Sequence, residues 1–369
     1  MNAIDLFAPS KGPACMTILR SPQSRRSFVA TTATTAGALA ASMTLPGGRH
    51  ALAQEATPEA SPAASPVAAG EWSFTDDKGV TVTLPSTPQR VVIDVNAAAP
   101  LWDFGIRPIA VFGWLANPEG DFGAAGGNID PDQVEIIGNG QDTIDVEALV
   151  GLQPDLIVTL TFAPDDPLDY WSLASDGPLE QVQQVAPIVA ISGVQSAAAA
   201  VARFAELAEA LGADLAAPEI ADAESAWRDA EDAFTAAVEA KPGISALFVA
   251  AGADMLYVAN PERAGDVMYF RELGLTVPAV SIDPANGDYW EYVSFETIGK
   301  YQTDLFMSSY RGLPIPEVEA IATVSALPAV QAGQIYTWNQ DFIASYQGMT
   351  AILAELTANI EASEIVTGG

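Results

Sequence analysis

The chain has 369 residues and a formal net charge of −32, from 47 acidic and 15 basic residues. That charge argues against nucleic acid and anionic membrane surfaces as partners. Cys15 is the only cysteine and His50 the only histidine, so nothing beyond them can form a disulfide, a cysteine nucleophile, a Ser-His-Asp triad, or a zinc site built on imidazole or thiolate.

The first 53 residues are expected to be an export signal. Ser24-Arg25-Arg26-Ser27-Phe28-Val29 has the pattern of a twin-arginine motif. A mildly apolar run, diluted by Thr and Gly, leads to the small-residue cleavage site Ala51-Leu52-Ala53. A membrane-spanning helix is the competing reading, weakened by the marginal length and Thr content of the run. No cysteine follows the run, so no lipid anchor is expected. Residues 54–70 are rich in Ala, Pro, Ser and Glu and are expected to be a disordered spacer. Removal of residues 1–53 takes away both Cys15 and His50, together with a net charge of +4, and leaves a mature chain near −36.

The roughly 300 residues that follow suffice for two domains of ordinary size. Residues 71–84 predict a β-hairpin, with alternation on each side of Asp76-Asp77-Lys78-Gly79. Short apolar strands are predicted at 90–95, 109–112, 134–137, 156–160 and 188–191, separated by helical segments. This pattern indicates a parallel sheet covered on both faces. Two helices follow, at 196–211 and 218–240, divided by Gly212 and Pro218. The second is stopped by Lys241-Pro242-Gly243. Strands are expected again at 244–250, 255–258, 277–281, 304–308 and 334–337, with a last helix over 345–360. The domain plan is a first lobe over 71–217, a linking helix over 218–241 and a second lobe over 242–369.

One unit occurs in both lobes. Asp145-Val-Glu147-Ala-Leu-Val-Gly-Leu-Gln-Pro-Asp155-Leu is matched by Ser294-Phe-Glu296-Thr-Ile-Gly-Lys-Tyr-Gln-Thr-Asp304-Leu. Each copy offers a helix cap, a Glu two positions later, a short helix, and an Asp-Leu that opens a buried strand. A matching Glu on each lobe suggests one partner gripped at two points. Favourable placement of an acid in the first helical turn is the alternative for either residue alone.

In order along the chain, several stretches resemble the solute-binding proteins of ABC importers for ferric siderophores, cobalamin and haem. They are the hairpin Phe74–Leu84 with Pro88-Gln-Arg-Val-Val92, then Leu101-Trp-Asp-Phe-Gly-Ile106 with Pro108-Ile-Ala-Val111, then Ile144–Ile157, Val185-Ala-Pro187 and Ala332-Gly-Gln-Ile-Tyr336. The resemblance spans residues 72–360. It implies an α/β fold of two Rossmann-like lobes with parallel sheets, joined by one long rigid helix (class III), with ligand held in the cleft between the lobes. It also implies a permease and an ATPase as partners, with Glu147 and Glu296 docking onto arginines of the permease. The protein is then expected to be a monomer that does no catalysis, with a small-molecule iron chelate as cargo and the twin-arginine export machinery as a transient partner.

Cleft contacts are expected from loops after the strands: Trp114, Tyr170 and Trp171 in the first lobe, and Arg263, Tyr289, Trp290, Arg311, Trp338 and Tyr346 in the second. Aromatic rings suit the bulky organic shell of a chelate, although each ring has core filling as its alternative. Arg263 and Arg311 suit carboxylate, hydroxamate or catecholate oxygens, and Glu262 offers Arg263 a surface ion pair instead. A ferric siderophore is the first expectation. Cobalamin comes second, and haem is disfavoured by the missing histidine. An exported carboxylate-based hydrolase using Asp165, Asp166 and Asp283, and a ligand sensor without a transporter, are the competing readings.

Overall fold

The computed structural model describes residues 70–113, 122–138, 144–173 and 178–367. The expected signal, nearly all of the spacer, and Trp114 lie outside them. The chain opens with a hairpin, β1 (Trp72–Thr75) paired antiparallel to β2 (Thr81–Leu84). Gly79 turns it at φ 74°, a value that suits a residue without Cβ.

The first lobe then runs β3 (Val91–Asp94), α1 (Val95–Asp103), β4 (Ala110–Phe112), β5 (Glu135–Ile136), α2 (Val146–Leu152), β6 (Leu156–Thr161), α3 (Pro178–Gln183), β7 (Ile188–Ser192) and α4 (Ala197–Ala210). Its sheet has the order β5-β4-β3-β6-β7, with every pair parallel. The strands are continuous apolar runs because helices cover both faces.

Helix α5 (Pro218–Ala240) follows, 23 residues with Pro at its start, roughly 35 Å long at the standard rise. Ile220, Trp227, Phe234, Ala237 and Val238 form its buried stripe. Just past its end, Lys241 Nζ donates to the carbonyls of Ile360 and Glu361, each at 2.7 Å. These are among the last carbonyls of α10 (Tyr346–Ala362), which a helix leaves without internal partners.

Between α5 and α10 the second lobe runs β8 (Ala246–Ala251), β9 (Met255–Ala259), α6 (Gly265–Glu272), β10 (Trp290–Ser294), β11 (Leu305–Ser309), the short helices α7 (Ile315–Glu319), α8 (Ala322–Ser325) and α9 (Pro328–Gln331), and β12 (Ile335–Trp338). The sheet order β10-β9-β8-β11-β12 repeats that of the first lobe. Here, however, β9 runs antiparallel to both neighbours.

Two expectations are corrected. The strand expected at 277–281 does not form. Pro278 lacks the N–H a ladder needs, and the Ser281 N–H is taken by the Glu291 carboxylate at 2.8 Å. Trp290–Ser294, expected to be loop, supplies the edge strand instead. The short helix of the second copy of the repeat is 3-10, Phe295–Lys300, and lacks the expected cap. The Ser294 hydroxyl faces Thr297 Oγ1 at 3.1 Å and does not cap it, whereas Asp145 caps α2 through the Ala148 N–H at 2.9 Å.

The lobes touch each other directly, and all described residues belong to one compact unit. Ser345 donates to Asp103 at 2.5 Å, and Ser196 donates to Glu272 at 2.7 Å. A Cβ at Gly265 would stand 2.6 Å from the Gln195 carbonyl oxygen, so α6 approaches the first lobe as closely as glycine permits.

Candidate functional site

In the first lobe, the loop after β6 is set by Asp169. Its buried carboxylate accepts from Thr161 Oγ1 (2.8 Å), the Phe162 N–H (2.6 Å) and the Ala163 N–H (2.7 Å). Trp171 is pinned to the same strand, its N–H donating to the Leu160 carbonyl at 2.8 Å and its carbonyl accepting from Thr159 Oγ1 at 2.6 Å. The Phe162 and Trp171 rings meet edge to face at 5.0 Å, a favoured aromatic geometry.

In the second lobe, Asn260 organises the loop after β9. Its side chain donates to the Asp288 carbonyl (2.7 Å) and accepts from the Glu262 N–H (3.1 Å), while its backbone N–H donates to the Tyr289 carbonyl (2.8 Å). This holds Arg263 beside Asp288, with Nη2 2.8 Å from the carboxylate. The same guanidinium donates to the Phe162 carbonyl of the first lobe at 3.1 Å. Glu262 pairs with Arg271 at 2.5 Å and not with Arg263.

Aromatic rings continue from there. Tyr289 lies against Trp290 at 4.7 Å, and Trp290 against Trp338 at 6.1 Å. Trp338 is buried and donates from Nε1 to Asp266 Oδ2 at 2.7 Å, so it forms the floor beneath Trp290. Tyr257 and Tyr292, directly opposite on β9 and β10, meet edge to face at 5.0 Å, and Tyr257 also meets Trp290 at 6.4 Å. Both tyrosines are half-buried. Neither is among the expected contacts, which are sought in loops after strands: Tyr257 lies inside the strand expected at 255–258, and Tyr292 in a stretch whose alternation of Trp290, Tyr292 and Ser294 is the signal of a strand.

Arg311 follows β11 directly and forms a two-point pair with Asp341, Nη2 to Oδ1 at 2.6 Å and Nε to Oδ2 at 2.7 Å. Tyr310 also donates to this carboxylate. Desolvation, reinforced by Asp341, pushes the Tyr310 phenol up to about 12. Asp266 is buried, and among the described residues its Oδ1 has no hydrogen-bond partner. Its pKa is pushed up to about 7, mainly by desolvation and against the hydrogen bond from Trp338. Burial, then the charges of Asp266 and Asp341, hold the Tyr289 phenol well above its usual range.

Trp171, Arg263, Tyr289, Trp290 and Arg311 are thus gathered on one aromatic and polar surface that reaches the first lobe at Phe162, with Trp338 buried beneath it. Two expected contacts lie elsewhere. Tyr170 is buried in the first-lobe core with Lys78 Nζ 4.7 Å from its ring centroid. Tyr346 stacks on Trp227 of α5 at 5.5 Å and meets Phe104 at 5.1 Å, where linker and lobes join. Each is drawn into the core by its large apolar ring area. Two of the three acids named for hydrolysis are turn formers: Asp166 accepts from the Leu168 N–H at 2.9 Å, and Asp283 from the Ala285 N–H at 3.0 Å.

Glu147 and Glu296 are exposed and make no salt bridge among the described residues. Each sits in the first turn of the helix preceding the fourth strand of its lobe, β6 or β11.

Residues 125–342 match the family described as periplasmic binding protein. DesE, a ferric-siderophore receptor protein from Streptomyces coelicolor, is 34% identical over 80% of this chain and 99% of its own, with a TM-score of 0.72. Staphylococcus aureus SirA complexed with staphyloferrin B is 19% identical over 79% of this chain and 99% of its own, TM-score 0.54. FhuD2 from the same organism, with bound ferrioxamine B, is 18% identical over 74% and 98%, TM-score 0.52. At that identity the two staphylococcal proteins show the fold alone. No curated protein sequence matches the chain. The chain belongs to the periplasmic binding protein family.

Proposed function

We propose that this protein captures a ferric siderophore between its lobes and delivers it to an ABC permease. The observation that carries this reading is the surface running from Trp171 and Phe162 through Arg263 to Tyr289 and Trp290, with the Arg263 hydrogen bond to the Phe162 carbonyl bridging the lobes. Rigid rings backed by a few placed polar groups suit a chelate with a large organic shell. The ligand-binding residues in this reading are Trp171, Arg263, Tyr289, Trp290 and Arg311, with Trp338 as floor. Tyr257 and Tyr292 extend the aromatic wall.

The domain division is a first lobe over 71–217, the linker over 218–241 and a second lobe over 242–369. The twin-arginine segment exports the chain to the periplasm or cell exterior, and no helix among the described residues is long and apolar enough to cross a membrane. Glu147 and Glu296 dock the loaded protein, as a monomer, onto the permease.

Titration of tryptophan fluorescence with a ferric siderophore, cobalamin and haem tests the cargo. Saturable quenching by the ferric complex, with none by the other two, supports the reading. Response to cobalamin or haem alone overturns it.

A further inference from the structure

Ten Lys and Arg residues follow residue 53, the other five of the fifteen lying before it. All ten are in the described part of the chain, and each already holds a carboxylate, carbonyl or aromatic partner. The undescribed segments 114–121, 139–143 and 174–177 contain Glu119, Asp121, Asp142 and Asp176 but no basic residue.

Two of the ten belong to the cleft surface, and both are neutralised there. Arg311 is held at two points by Asp341, and these side chains are only 16% and 11% exposed. Arg263 is held by Asp288 at 2.8 Å and by the Phe162 carbonyl.

An anionic ligand that engages Arg311 must displace Asp341 and leave a largely buried carboxylate without its counter-ion, which is strongly unfavourable. If it does not displace Asp341, it lies against two carboxylates, Asp341 and Asp288, that already neutralise the two cations. The mature net charge near −36 also slows its approach. A neutral chelate meets neither obstacle, because its carbonyl oxygens accept hydrogen bonds without breaking either pair.

We infer that the cleft selects ferric chelates of zero or positive charge and rejects polyanionic ones, with Asp341 and Asp288 as the specificity-determining residues. The inference rests on the ferric-chelate reading above. Three hydroxamates balance the charge of ferric iron; three catecholates leave three negative charges in excess.

The test titrates the full mature chain with a ferric trihydroxamate and a ferric tris-catecholate, following tryptophan fluorescence. The trihydroxamate is expected to bind at least roughly a hundredfold tighter, the scale of like-charge rejection at an interface. D341N, checked for folding by its melting curve, is expected to narrow that ratio by roughly tenfold, and D288N to narrow it less because its pair is more exposed. Equal affinity for the two chelates, or an unchanged ratio in folded D341N and D288N, overturns the inference while leaving the ferric-chelate reading standing. Binding of neither chelate overturns that reading and the inference with it.

Discussion

Arg311 and Asp341 form a two-point ion pair at the ends of adjacent strands, with both contacts at 2.7 Å or less. The pair is mostly buried and shares its carboxylate with Tyr310. Removing one partner therefore leaves more than a missing contact. D341A strands both a guanidinium and a phenol, and is expected to cost about 3 kcal/mol. The double-mutant cycle with R311M is expected to return a coupling of about 1–3 kcal/mol by urea unfolding. Additive effects would show that the pair is screened.

Glu147 and Glu296 are exposed and stand in the first turn before equivalent strands. The E147A/E296A protein is expected to keep its melting temperature and its ligand affinity, and to lose uptake when supplied with its permease in vesicles. A loss of ligand affinity in the purified variant would move these residues from docking to the cleft.

Much of the frame was legible because local chemistry dictated it. Pro218 and Lys241-Pro242-Gly243 bound the 23-residue linker helix, since proline starts a helix and the Pro-Gly step ends one. The edge strand β10 was not legible. Its Trp-Glu-Tyr-Val-Ser run carries Glu291, whose burial is explained only by Lys300, Tyr301 and the Ser281 N–H. The site was half legible. Aromatic and arginine residues after strands could be named, but Tyr170 and Tyr346 differ from Tyr289 only in what packs around them. The partners that neutralise the arginines were invisible, because Asp341 lies 30 residues from Arg311 and is brought near by the pairing of β11 with β12.

Asp266 makes the fold sensitive to pH near neutrality. Its pKa stands at about 7 in the folded protein against an ordinary 3.8. The folded state therefore holds a proton that the unfolded state releases. The stabilisation is complete below the ordinary value and is lost as pH rises through about 7, at up to about 1.4 kcal/mol per pH unit. D266N keeps the shape and a donor but cannot ionise. Its melting temperature is expected to fall less than that of the wild type between pH 5 and about 8, and parallel curves would show that Asp266 does not titrate there.

The two aspartates of the repeat do the same work with unequal loads. Asp155 accepts the N–H groups of Gln89 and Arg90 at 2.9 and 3.0 Å, where the chain enters β3. Asp304 accepts the Ser245 N–H and hydroxyl at 2.9 and 2.7 Å, before β8. Its other oxygen takes Val366 N, Thr367 N and Thr367 Oγ1 at 2.8–2.9 Å, tying down the chain beyond α10. Asp304 is fully buried and Asp155 half-buried. D304A leaves five donors without an acceptor and is expected to cost about 3–5 kcal/mol, D155A about 1 kcal/mol. Asp304 also carries a pH signature. Burial works against the charged form of Asp304, but the donors from Ser245 and Thr367 outweigh it and hold its pKa below 3.8. Its contribution is present above that value and is lost as pH falls through the depressed one. Acid unfolding monitored by circular dichroism should therefore lose this component in D304N. Coincident acid transitions for the wild type and D304N would show that the five donors find other partners.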